Sequence, residues 1–242
     1  MRAMILAAGR GERMRPLTDT CPKPLLEVGG TPLIVWHIRR LVAAGIQQII
    51  INHAWLGAQI EASLGDGHAF GAQIVYSPEP CALETAGGIA RALPFFQGAP
   101  FLVINGDIWS DWDPGLASTI VTGLDGDHTL AHLVLVDNPP HHPRGDFALA
   151  PSGRHVPDGT PLLTFAGIGL YHPQLFAGLA PKQAAPLAPL LRRAIAQDRI
   201  SATHHRGSWV DIGTPERLQT LDRCLRLQQS EPFAGDVPSS RC

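Results

Sequence analysis

From the N-terminus to about Asn105, continuous apolar runs alternate with segments whose apolar positions recur every three or four residues. Runs at 3–8, 48–52, 73–77 and 101–105 predict strands buried on both faces. Between the first two, Thr31 as N-cap, Pro32 in the first helical position and the stripe Ile34, Ile38, Leu41 and Val42 predict a helix that Gly45 closes. Shorter helices are predicted over 56–64 and 85–93. This alternation predicts an α/β fold, a Rossmann-like, mainly parallel sheet flanked by helices. Ligands of such sheets gather beyond the carboxyl ends of the strands. Those ends here are Ala7-Ala8-Gly9, Asn52-His53, Ser77-Pro78 and Asn105-Gly106-Asp107.

The second half is less regular. Strands are predicted at 132–137, 162–171, 201–205 and 208–212, with a Pro/His-rich loop over 138–145 and a helix over 187–197. Thr214-Pro215 opens a last helix, whose buried face is Leu218, Leu221 and Leu225. No linker divides the chain, which predicts one domain over 1–228, with a late-inserted substrate-binding lobe, and a loose tail over 229–242.

Composition narrows the function classes. Hydrophobic residues make up 45% and charged ones 17% of the 242 residues, which predicts a globular chain. Lys+Arg 19 against Asp+Glu 21 leaves a net charge of −2, so there is no electrostatic footprint for nucleic acid or a membrane surface. Any phosphate must be met locally. No apolar run approaches the ~20 residues of a membrane span. The scattered Cys21, Cys81, Cys224 and Cys242 show no CxxC spacing, which fits a reduced, cytoplasmic setting. Nothing in the sequence selects between a monomer and a weak homo-oligomer.

Three segments carry candidate chemistry. Leu6-Ala7-Ala8-Gly9-Arg10-Gly11-Glu12-Arg13-Met14 leaves the first strand with small residues that let backbone N–H groups approach phosphate oxygens. It is not a P-loop, since no GK[ST] follows, and Met14 stands where a dinucleotide fingerprint needs its third Gly. Arg10, Arg13, Arg15 and Lys23 follow closely, and Pro22 and Pro24 are expected to hold the backbone extended around Lys23. Asn105-Gly106-Asp107 ends a buried strand. Its carboxylate is a helix N-cap or a metal ligand, and Ile108-Trp109-Ser110 does not read as a helix start. Trp209-Val210-Asp211-Ile212-Gly213-Thr214-Pro215 offers a second aspartate that helix capping does not need. The pairs His141-His142 and His204-His205 lack zinc spacing, and neighbouring side chains on an extended chain point opposite ways.

Taken in order, Leu6-Ala7-Ala8-Gly9-x-Gly11-x-Arg13-Met14, Pro22-Lys23-Pro24, Leu83-x-Thr85-Ala86-Gly87, Asn105-Gly106-Asp107 and Trp209-Val210-Asp211-x-Gly213-Thr214-Pro215 resemble the sugar-1-phosphate nucleotidylyltransferases. The stretches Ile51-Asn52-His53-Ala54-Trp55-Leu56-Gly57, Leu133-Val134-Leu135-Val136-Asp137-Asn138-Pro139 and Arg144-Gly145-Asp146-Phe147 look like the branch acting on N-acetylmuramate 1-phosphate with UTP in cell-wall recycling.

The resemblance implies a Mg²⁺-dependent reaction, with one or two ions, in which a sugar 1-phosphate attacks the α-phosphorus of a nucleoside triphosphate. The partners implied are thus UTP and the sugar 1-phosphate. Residues 1–112 would bind the nucleotide, and 113–228 would form the sugar-binding lobe and supply the last metal ligand. Leu6, Ala7, Ala8, Gly9, Gly11 and Asn105 would hold the nucleotide. Arg13 would face the pyrophosphate and Lys23 the α-phosphate, while Asp107 and Asp211 would bind Mg²⁺ and complete the catalytic set. Glu84, Gly145, Asp146, Thr164 and Gly167 would line the sugar pocket. Glu84 replaces the family's usual Gly, and the Glu-Lys-Pro of many hexose-using members is absent. Arg144 and Arg206 are candidates for the lactyl carboxylate of muramate. Cys21, beside Pro22-Lys23, is expected to impair turnover when oxidised or alkylated.

Overall fold

Alternate residues of the apolar runs face opposite sides of one sheet, and each side meets its own helices. The computed structural model describes residues 1–150, 155–156, 161–180 and 182–230. The first run is β1 (Arg2–Ala7), and tight turns then lead to a hairpin of β2 (Glu27–Val28) and β3 (Thr31–Pro32). Next come α1 (Leu33–Ala43), β4 (Gln48–His53), α2 (Gly57–Leu64) and β5 (Gln73–Pro78). The first half closes with α3 (Glu84–Phe96), β6 (Phe101–Asn105) and β7 (Ile108–Ser110). The second half holds α4 (Ala117–Ile120), β8 (Ala131–Val136), β9 (Phe147–Leu149), β10 (His155–Val156) and β11 (Leu162–Tyr171). It ends with α5 (Leu187–Ala196), β12 (Ile200–His204), β13 (Trp209–Asp211) and α6 (Pro215–Ser230).

The strands β5, β4, β1 and β6 run parallel in that order. β11 joins β6 antiparallel, β8 joins β11 antiparallel, and β12 joins β8 parallel. β9 pairs antiparallel with the start of β11, at Leu162 and Leu163. One sheet therefore crosses both halves of the chain. On one face, Ile5, Ile49, Ile51 and Ile104 pack under Ile34, Ile38 and Leu41 of α1. On the other, Met4, Ile50 and Val103 pack under Ala86 and Ile89 of α3. This period-two division is why the runs read as continuously apolar. Each such side chain contributes ~1.5–3 kcal/mol on burial.

A third apolar cluster lies outside the sheet. Leu218, Leu221 and Leu225 of α6 meet Met14, Leu26, Val28, Leu33 and Trp109, so the predicted buried face of α6 is the observed one. Two polar contacts reinforce it: the Gly29 N–H donates to Asp222 Oδ1 at 2.8 Å, and Gln229 Nε2 donates to the Gly29 carbonyl. α6 thus clamps the β2–β3 hairpin that follows Lys23.

Several elements differ from expectation. Thr31 and Pro32 belong to β3, and α1 starts at Leu33 with Pro32 at its N-cap position, so Thr31 caps nothing. Pairing with Glu27 and Val28 outweighs the local capping signal. Gly45 does close α1, with φ +79° and its N–H on the Val42 carbonyl. α3 continues through Pro94 to Phe96, because the Phe96 ring stacks on Phe101 with centroids 3.7 Å apart and is drawn into the core. The expected loose tail lies, from 231 onward, outside the described residues.

Two buried histidines give the fold a pH dependence. Burial pushes both His37 and His132 down to about 4; a backbone hydrogen bond to Ile108 partly offsets this for His37. His132 bonds neutral partners, with Nδ1 2.8 Å from Ser201 Oγ and Nε2 3.1 Å from Thr203 Oγ1. The unfolded chain titrates these groups near 6.5. Their contribution is therefore complete above that pH and is lost as pH falls towards 4, by at most about 1.4 kcal/mol per pH unit for each. Urea unfolding at pH 7, 6 and 5 should show this decline, and His132→Gln should flatten it.

Candidate active site

A cleft of about 560 Å³ opens beyond the carboxyl ends of β1, β4, β5 and β6. One wall is the loop leaving β1. It turns at Gly11, whose φ of +69° favours glycine and where a Cβ would lie 3.0 Å from Thr18 Cγ2. Thr18 Oγ1 donates to the Gly11 carbonyl at 2.8 Å, and Trp55 Nε1 donates to the Thr18 carbonyl at 2.9 Å. Fully buried Met14 anchors the loop in the third cluster, so the position that breaks the dinucleotide fingerprint is a core anchor. Leu6, Ala7, Ala8 and Gly9 line the cleft with this loop.

The cations divide. Arg13 lines the cleft and is exposed. Arg10 also lines it and lies over the Trp55 ring, 4.5 Å from its centroid. Arg15 does not line it and pairs with Asp19 at 3.0 Å. Lys23 is 7% exposed, and its Nζ donates to Asp107 Oδ2 at 2.7 Å. Pro22 is extended as expected, but Lys23 opens a tight turn closed by the Leu26 N–H on the Lys23 carbonyl, so the backbone is extended on one side only.

Asp107 is followed by β7, so there is no helix for it to cap. Antiparallel pairing of β7 with β13 sets Asp211 opposite Ile108, and the Ile212 N–H donates to the Asp107 carbonyl at 2.8 Å. Two aspartates distant in sequence thus become neighbours. Gly213 of the second segment lines the cleft, while the Asp211 carboxylate is engaged by Arg217 and His141.

Asn105 lines the cleft, and Gly167, at φ +73°, is the close approach beneath it, where a Cβ would lie 2.7 Å from Asn105 Nδ2. Glu84 also lines the cleft, with φ +57°, a conformation that favours glycine. Gly145, Asp146 and Thr164 are not brought into it. Thr164 Oγ1 donates to Asn138 Oδ1 at 2.8 Å, and Asp146 accepts the Phe165 N–H at 2.8 Å and lies 3.0 Å from His142 Nε2. A Cβ on Gly145 would lie 2.7 Å from Asn138 Oδ1. Together these three fasten the 138–146 loop to β11. Arg144 and Arg206 are exposed and lie outside the cleft lining.

Sequence reasoning missed a buried polar pair on the cleft floor. Asn52 Oδ1 accepts the Ala7 N–H at 2.9 Å, and Asn52 Nδ2 donates to Glu79 Oε1 at 2.7 Å. Glu79 Oε2 accepts the Leu83 N–H at 2.9 Å. Gly88 leaves the space, since a Cβ there would meet Glu79 Oε1 at 2.7 Å. The signal was the polar end of β4 and the residue just past β5. The histidine pairs separate as expected: His204 meets Asp137, and His205 meets Asp111. Among the described residues, no cluster of three or more His, Cys, Asp or Glu side chains is placed to hold a metal. The Cys21 thiol is raised by burial and by Glu27, and Sγ is 3.6 Å from the Pro22 carbonyl.

The family model described as nucleotidyl transferase matches residues 2–142. The chain belongs to that family. A nucleotidyl transferase relative from Neisseria meningitidis serogroup B, named N-acetylmuramate alpha-1-phosphate uridylyltransferase, is 56% identical over 97% of this chain and 99% of its own. One of the same name from Caulobacter vibrioides is 33% identical over 88% and 92%. The solved structure of a putative glucose-1-phosphate thymidylyltransferase from Bacillus anthracis shares the fold at a TM-score of 0.82, with 23% identity over 97% of both chains. The mostly parallel sheet flanked by helices is thus the nucleotidyl transferase architecture. Among the described residues, no helix is long and apolar enough to cross a membrane.

Asn52→Ala should destabilise this nucleotidyl transferase by about 2 kcal/mol or more, because it leaves the Ala7 N–H and one Glu79 oxygen unpaired; chemical denaturation measures it. A raised thiol should make Cys21 slower than exposed Cys81 to react with iodoacetamide at pH 8, read by mass spectrometry.

Proposed function

We propose that this nucleotidyl transferase moves the uridylyl group of UTP to N-acetylmuramate 1-phosphate, giving UDP-N-acetylmuramate and pyrophosphate. The observation that carries the substrate assignment is 56% identity over nearly the whole length to the Neisseria relative of that activity. The reaction needs no proton abstraction. A phosphate oxygen of the sugar 1-phosphate is already anionic; it forms a bond to the α-phosphorus while the bond from that phosphorus to the bridging oxygen breaks. Among the described residues, no histidine lines the cleft, which accords with a reaction driven by alignment and charge.

The residue roles follow from this reading. The backbone from Leu6 to Gly11, with Asn105, holds the nucleotide, Arg13 neutralises the leaving pyrophosphate, and Lys23 stabilises charge at the α-phosphate. Residues 1–112 carry the nucleotide and 113–228 the sugar. Glu84 faces the sugar from the cleft, whereas Gly145, Asp146, Thr164 and Gly167 shape the pocket by holding its loop and Asn105. Mg²⁺ fits the donor set. Lys23 takes Asp107 Oδ2 and leaves Oδ1 open among the described residues, and an oxygen-only site needs one or two protein carboxylates beside phosphates and water. Asp107 and Asp211 would hold the ion, which when bound draws charge from the α-phosphoryl group. The setting is the cytoplasmic recycling of cell-wall sugars.

Pyrophosphate release should be measured with Mg²⁺ and UTP against the 1-phosphates of N-acetylmuramate, N-acetylglucosamine, glucose and mannose. Selective turnover of the muramate compound is expected, with kcat/KM reduced about 100-fold or more in Lys23→Ala. Turnover confined to glucose or mannose 1-phosphate would overturn the substrate assignment and keep the chemistry. Silence with every substrate, alongside tight binding of nucleotide sugars, would replace the enzyme with a binding subunit.

A further inference from the structure

Asp211 is already occupied. Arg217 Nη1 lies 2.7 Å from its Oδ1 and 2.8 Å from its Oδ2. His141 Nε2 lies 2.8 Å from the same Oδ1 and 2.6 Å from Arg217 Nη1. That ring nitrogen donates to the carboxylate or accepts from the guanidinium, but not both at once. Gly213 admits the arrangement, since a Cβ there would lie 2.1 Å from Arg217 Nη2. The two side chains are 28% and 21% exposed, so the pair is partly withdrawn from water.

We propose that Arg217 is the resident counter-ion of Asp211, a positioning residue that fixes this carboxylate before a divalent cation binds and must be exchanged for it. The inference rests on the reading of Asp107 and Asp211 as cation ligands. Among the described residues, Asp107 keeps one oxygen open beside Lys23, whereas both oxygens of Asp211 accept from Arg217. In formal charge, the two carboxylates are balanced by Lys23 and Arg217. A divalent cation approaching alone therefore meets two carboxylates that already have counter-ions, and it competes with the guanidinium for the second. Arg217 thus sets how tightly the protein holds a cation without nucleotide.

The test uses Mn²⁺ alone as the probe, with free Mn²⁺ read by electron paramagnetic resonance on the full chain without UTP or sugar phosphate. Arg217→Gln should bind Mn²⁺ about two- to fivefold more tightly than the unaltered chain, the range for releasing a partly exposed ion pair. Unchanged or weaker binding in a variant with native-like melting overturns the proposal. A second measurement covers a variant that fails to fold. On the unaltered chain, the Arg217 Nε–H NMR signal, assigned by its loss in Arg217→Lys, should shift as Mg²⁺ is titrated. A signal unmoved at saturating Mg²⁺ overturns the proposal, as does failure of both the unaltered chain and Arg217→Gln to bind Mn²⁺. Neither measurement contains a nucleotide or sugar, so failure of the muramate assignment leaves both readable.

Discussion

A lysine ammonium withdrawn from water is stable only beside a compensating charge, and the cleft is organised around that requirement. Lys23 is nearly buried and meets Asp107 at 2.7 Å. Removing Asp107 strands the buried ammonium, which costs more than the pair contributes, whereas the half-exposed Asp107 keeps access to water without Lys23. The pair also joins two parts of the fold with separate origins. Asp107 comes from the end of a central strand, and Lys23 from a turn fixed by the hairpin that α6 clamps. Their meeting closes the cleft floor and leaves Arg13 exposed on its wall.

The same logic governs the second aspartate by a different route. Pairing of β7 with β13 delivers Asp211 to the neighbourhood of Asp107, and α6 supplies Arg217 to balance it. Acidic and basic groups thus arrive together from the local chain. Charge near the cleft is held by short-range pairing, consistent with a net charge of only −2 for the molecule.

Much of this was legible in the sequence because the signals were local or periodic. Short apolar runs marked the strands, and the small residues leaving β1 and the polar residues ending β6 marked the cleft. Asn52 sat at one of the noted strand ends, but its bond to Glu79 depends on two strands lying side by side. Periodicity does not encode that adjacency. Thr31 read as a cap, but pairing with Val28 claims its backbone, and the helix expected over 85–93 runs on to Phe96, whose ring stacks on Phe101. Asp211 was recognised from its motif, yet its engagement by His141 requires a loop from another part of the sequence. Gly145, Asp146 and Thr164 were read as contacts for a substrate because a motif records position; their hydrogen bonds inside the 138–146 loop are visible only once it is closed.

The clamp of α6 on the β2–β3 hairpin has a consequence during synthesis. The contact between Gly29 and Asp222 spans 193 residues. A nascent chain can pair β1, β4 and β5 long before α6 leaves the ribosome, since domains gain structure from the N-terminus onward. Until then the turn bearing Lys23 lacks its backing. The β1, β4 and β5 part of the sheet is therefore available early, whereas the turn bearing Lys23 is organised only with α6, and a chain short of α6 has no organised cleft with which to consume nucleotide.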